Sequence, residues 1–155
     1  MGKIKWSNSS SMKLSRAIVV VFVFILLGVD IGGWKLAEYI VTNAYSVTEY
    51  GNTIMLIIVI YVCSVPGYFT LYCLYKLLRN IEKHEVFISQ NVKYLQLVSW
   101  NCIFVAVILC IAAVTIWFSL GIVAVAAGFM ALIVRVVKNV FEQAVRMKDE
   151  LEFLV

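Results

Sequence analysis

Apolar residues come in four long runs along this chain, and short polar stretches separate them. The pattern predicts helical spans over about 14–33, 53–78, 94–116 and 120–137. At 1.5 Å of rise per residue, each is long enough to cross a hydrocarbon core of about 30 Å. Residues 1–11 are polar and Ser-rich and are expected to be loosely ordered. Between the first two spans, Leu36, Ile40, Ala44 and Val47 recur at near-helical spacing. Two readings stay open there, a helix lying on the membrane surface or a continuation of the first span. Tyr50-Gly-Asn52 is expected to break that pattern. Residues 79–93 form a polar connection, and Trp117-Phe-Ser-Leu-Gly121 reads as a tight turn with an interfacial Trp. The fourth span's pattern runs on into a charged tail, 138–155.

Composition explains why these runs are spans and not the core of a water-soluble domain. Of the 155 residues, 63% are hydrophobic and 14% charged, and the mean hydropathy is +0.96. A soluble domain carries roughly 45–50% apolar and about 25% charged residues, and one core of this size cannot hide the excess. The reading is a single all-α integral membrane domain, with four transmembrane helices in an antiparallel bundle. Net charge is +4, but its distribution says more. Lys and Arg gather at 3–16, 76–93 and 135–148, whereas the segment between the first two blocks holds Asp30, Glu38 and Glu49 against Lys35 alone. Four spans with both termini cytoplasmic put all three basic blocks on one side. That places the chain in the cell membrane, with 79–93 and 138–155 in the cytoplasm. Orientation accounts for the basic residues, so direct nucleic-acid binding is not expected.

Other signals are read against this topology. The basic N-terminus before an apolar run suggests a signal peptide, but Gly28-Val-Asp30-Ile-Gly-Gly33 is a poor cleavage site, so the first run is expected to be retained. Cys63, Cys73, Cys102 and Cys110 lie inside apolar runs without metal-ligand spacing and are expected to behave as small apolar residues. No nucleotide loop, zinc-protease or nucleophile–base motif occurs, so no catalytic residue, cofactor or metal is expected and the chain is read as non-enzymatic.

Three groupings carry functional candidates. Tyr61, Ser64, Tyr68, Tyr72 and Tyr75 share one face of the second span, and Tyr94, Asn101 and Thr115 share one face of the third. Hydroxyls and amides in hydrocarbon need partners. The face of Tyr61, Tyr68, Tyr72 and Asn101 is therefore either interhelical glue or a polar pocket between spans two and three. Pro66, beside Ser64 and Gly67, marks an expected kink. Ala124/Gly128 and Ala127/Ala131 are small-residue pairs, serving packing within the bundle or a homo-oligomer face. Asp30, near Lys35, offers a proton or cation role, and is read in preference as a solvated interfacial carboxylate. On the cytoplasmic side, Phe87 and Phe141, with Glu142, Asp149, Glu150 and Glu152, exceed what orientation requires and point to a protein partner. His84 is read as a solvated loop residue.

Two segments add a resemblance. Arg79 to Trp100 and Leu132 to Val155 resemble the YoaS-like family of uncharacterised small four-helix bacterial membrane proteins. Ile81, Lys83, Phe87 and Asn91 match its connection, and Arg135, Val136, Val137, Val140, Phe141 and Ala144 match the run leaving its fourth span. Here His84 replaces a usual Gly, and the ending Glu-Leu-Glu-Phe-Leu-Val departs from the family pattern. The resemblance implies a four-span fold and, by association with neighbouring helix-turn-helix proteins, a small cytoplasmic transcription regulator as partner. Phe87, Asn91, Arg135 and Phe141 are then the expected partner-binding residues of a membrane regulator or sensor. The alternative is a small transporter or channel subunit with a path between spans two and three. A membrane enzyme on a lipophilic substrate is a third reading.

Overall fold

The computed structural model describes residues 2–44, 50–83, 85–116 and 118–155, with side chains from residue 13 onward except at 44 and 50–52. Four helices carry the chain: α1 (Gly2–Ala44), α2 (Tyr50–Glu82), α3 (Ser89–Thr115) and α4 (Leu120–Phe153). Each is long and apolar enough to cross a membrane. Large apolar side chains stand exposed on all four, among them Phe24, Ile58, Val114 and Phe129. A helix packed in water hides its apolar stripe, whereas these helices are apolar nearly all round, as lipid solvation requires.

Among the described residues the helices touch in chain order, α1 on α2, α2 on α3 and α3 on α4. Three ties hold α1 to α2. Arg16 reaches Glu82 at 3.3 Å and donates to the Tyr75 hydroxyl at 3.2 Å. Asp30 meets Ser64 and Tyr68 further along. Ala37, Val41 and Leu56 then form a buried apolar cluster, against which Leu120 also packs. Between α2 and α3, Asn101 Nδ2 donates to Thr70 Oγ1 at 3.3 Å. The α3–α4 seam buries Leu95, Val98 and Ala112 against Ala124 and Ala131. Ser99 Oγ donates to the Ala131 carbonyl at 3.1 Å. Ala124 and Ala131 thus serve packing within the chain, while Gly128 has nothing within 4 Å of its would-be Cβ.

Several boundaries differ from the sequence reading. The N-terminal stretch is helical from Gly2, because it holds no proline and a helix already nucleated propagates cheaply. The first span does continue beyond Gly33, to Ala44; Val47 lies outside the described residues. Tyr50-Gly-Asn52 opens α2 and does not merely end what precedes it. The connection between α2 and α3 is also shorter than 79–93, since α2 runs to Glu82 and α3 starts at Ser89. The turn between the third and fourth spans falls where expected, between Thr115 and Leu120, although Trp117 itself is outside the described residues. All four cysteines are free.

Candidate functional site

The most concentrated polar cluster within the spans centres on Asp30. On α1 no charged residue lies between Arg16 and Asp30, and on α2 none lies between Thr53 and Lys76. About 20 Å of helix rise separates Asp30 from Arg16. The carboxylate is half-buried and turned onto α2. Ser64 Oγ donates to Oδ1 at 2.5 Å, and the Tyr68 hydroxyl donates to Oδ2 at 2.7 Å. The Tyr61 hydroxyl donates to the Asp30 backbone carbonyl at 2.9 Å. Lys35 forms no ion pair with it. Five residues along a helix turn a side chain about 140° away. Asp30 is therefore an acceptor joining two helices, which corrects the reading of a solvated interfacial group. Close approach of the helices permits this: a Cβ on Gly67 would stand 3.3 Å from Leu26 Cδ1.

The tyrosine stripe is real as a face, but its partners are not those expected. Tyr61 and Tyr68 bond to α1, and Tyr75 meets Arg16, whose guanidinium lies 5.2 Å from the ring centroid. Tyr72 is 54% exposed, and Lys76 Nζ lies 5.6 Å from its ring centroid. Of the face predicted on α3, Asn101 bonds Thr70, and Thr115 bonds back to the Ile111 carbonyl. The hydroxyls of Tyr61, Ser64, Tyr68 and Tyr75 thus meet α1, whereas Thr70 meets α3 and Tyr72 stands exposed beside it. What separates α2 from α3 is an open groove of about 470 Å³, lined by Pro66, Tyr68, Phe69, Tyr72, Asn101 and Phe104. Pro66 is buried inside α2, which continues through it as one helix. Its missing N–H leaves the Val62 carbonyl without the usual intrahelical donor.

At the other end, the connection between α2 and α3 is built around Asn91. This side chain is fully buried. Its amide donates to the carbonyls of Glu85 and Val86 at 2.9 and 2.8 Å and accepts from Asn80 Nδ2 at 2.8 Å. The Ile88 backbone is extended, at φ −124° and ψ 146°, and gives α3 no side-chain cap. Asn91 supplies the turn's order from the first turn of α3, so it shapes the surface and does not face a partner. Phe87 is 47% exposed and lies 5.9 Å from Phe141, centroid to centroid. The two aromatics singled out from far-apart segments therefore form one patch. Arg135 stands over the Trp100 ring at 6.0 Å, where the uncharged run of α4 ends. Beyond it Glu142 pairs with Lys138 at 2.7 Å and with Arg146 at 3.0 Å. Hydrogen bonds and charge from Lys138, then from Arg146, hold the Glu142 carboxyl below the usual carboxylate range. His84 lies outside the described residues.

The reading of the sequence missed two features. One is the role of Asp30, whose signal was available: an acid that ends one uncharged run, opposite a run with Ser and Tyr hydroxyls on one face. The other is the row Val140, Met147, Leu151 and Leu154, one helix face, which stands 58%, 58%, 65% and 84% exposed. Among the described residues no cluster of metal-ligating side chains occurs. No curated protein and no solved structure matches the chain. A family model described as "Protein of unknown function (DUF2975)" matches residues 17–155, from the start of the first uncharged run to the last residue of the tail. The chain belongs to the DUF2975 family.

Proposed function

We propose that this is a non-enzymatic membrane regulator whose cytoplasmic surface docks a protein partner, with four spans in an antiparallel arrangement and both termini in the cytoplasm. The exposed apolar row of Val140, Met147, Leu151 and Leu154 carries the reading. With Arg135 at the membrane edge, Met147 to Leu154 stand about 18–28 Å further along a continuous helix, beyond the reach of acyl chains. Apolar residues held there in a row belong against protein. The Phe87–Phe141 patch lies at the base of the same helix, and the buried Asn91 keeps its loop fixed. Likeness to the YoaS-like group suggests a small helix-turn-helix protein as the partner.

The test is affinity purification of the tagged full-length chain from detergent-solubilised membranes of its own host, beside Leu151→Glu and the double variant Phe87→Ala/Phe141→Ala. One cytoplasmic protein should be enriched with the parent chain and fall at least about tenfold with either variant, as hot-spot residues do. Identical recovery from all three would overturn the docking reading. A second reading, a small transporter subunit, draws on the intramembrane carboxylate and the adjoining groove. Solute or ion flux into liposomes that is lost with Asn101→Leu would favour it.

A further inference from the structure

We propose that Asp30, together with Ser64 and Tyr68, is a binding site for a proton inside the membrane. The inference is independent of partner docking and starts from charge. Asp30 is turned onto a stretch of α2 that carries no Lys, Arg, Asp or Glu. The groups facing it from α2, the helix packed along α1 among the described residues, are the hydroxyls of Ser64, Tyr68 and Tyr61. Its nearest charged neighbour on α1, Lys35, makes no ion pair with it. A carboxylate with no cation beside it in hydrocarbon either takes up a proton or carries a large desolvation cost.

The hydrogen-bond geometry serves both protonation states without moving a heavy atom. In the charged state Ser64 and Tyr68 each donate to one carboxylate oxygen. Ser64 Oγ also lies 3.1 Å from the Ile60 carbonyl of its own helix. When Asp30 carries a proton on Oδ1, that proton is donated to Ser64 Oγ, and the serine hydroxyl rotates to donate to Ile60. Every donor retains an acceptor, and Tyr68 still donates to Oδ2. A metal cation, by contrast, needs several ligating oxygens, and among the described residues Asp30 belongs to no cluster of metal-ligating side chains. Proton binding is therefore the chemistry this site accommodates. Tyr68 is also among the residues lining the groove between α2 and α3.

The full-length chain in lipid nanodiscs is the test material, and dicyclohexylcarbodiimide, which modifies protonated carboxyls in an apolar phase, is the probe. Peptide mass spectrometry should place the adduct on Asp30, with a yield falling at least about tenfold between about pH 5 and about pH 9. Asp30→Asn should abolish it. Tyr68→Phe removes a donor to the charged form, so its labelling should persist to higher pH than in the parent chain. This readout separates a proton site from a purely structural bond, which would leave the pH profile unmoved. Replacing choline chloride with sodium chloride should leave the yield unchanged. No adduct on Asp30 at any pH, a yield independent of pH, or protection by sodium would each overturn the proposal.

Discussion

Asn91 uses its whole amide on the protein's own loop, and the loop has no other side chain in that position. Glu85 and Val86 offer carbonyls that no helix claims, and Asn80 offers an amide proton from the last turns of α2. An alanine at 91 would strand these groups in a site closed to water. Unsatisfied buried polar groups cost about 1–3 kcal/mol each, less whatever relaxation lets water reach them. Asn91→Ala should therefore lower stability by about 2–3 kcal/mol, read as an earlier thermal transition in detergent and faster proteolysis of the connection. Asn91→Asp should cost more, because it keeps the acceptor for Asn80 but turns a negative oxygen toward two carbonyls. A transition unchanged in both variants would show that the loop is held by something else.

At the scale of elements, α4 combines two environments in one helix. Its first half is apolar and packs Ala124 and Ala131 on α3, whereas its second half is charged and laced by ion pairs spaced one turn apart. Glu142 sits between Lys138 and Arg146 and is held ionised to lower pH than an ordinary Glu. A carboxyl depressed in the folded chain stabilises the fold above its unfolded value, and the contribution is lost as pH falls through the folded one. Acidification below about pH 4.5 should thus loosen this part of α4, and Glu142→Gln should remove that pH dependence while leaving neutral-pH helicity nearly intact. Backbone amide exchange of residues 138–150 across pH, corrected for intrinsic rates, is the measurement. The spans and the turn between α3 and α4 were legible in the sequence, because long uncharged runs and the polar residues that interrupt them encode both locally, whereas the Phe87–Phe141 contact joins segments far apart in the chain and was not. Nor was the partner of the tyrosine stripe. A stripe fixes a helix face but not the neighbour it meets, and Asp30 was discounted because a residue at the end of an apolar run looks solvated until its helix is known to continue to Ala44.

For the whole molecule, the question is which side of the membrane each end faces, and the charge count is what bears on it. Three basic residues flanking the uncharged runs each stand over an aromatic ring: Arg16 over Tyr75, Lys76 over Tyr72 and Arg135 over Trp100. Together they form a belt of ring and cation across α1, α2, α3 and α4, as expected where headgroups meet hydrocarbon. The opposite ends carry fewer charges, with Lys35 and Glu38 both exposed on α1. If positive residues stay on the cytoplasmic side, Lys35 faces out while Gln90 and Lys148 face in. The native cysteines sit within the spans and are free. Replacing all four with Ala or Ser therefore gives a background for single reporters. A membrane-impermeant maleimide applied to intact cells should label Lys35→Cys and should reach Gln90→Cys and Lys148→Cys only after lysis. Labelling of Gln90→Cys from outside would invert the molecule, and with it the apolar row of α4 would face away from every cytoplasmic partner.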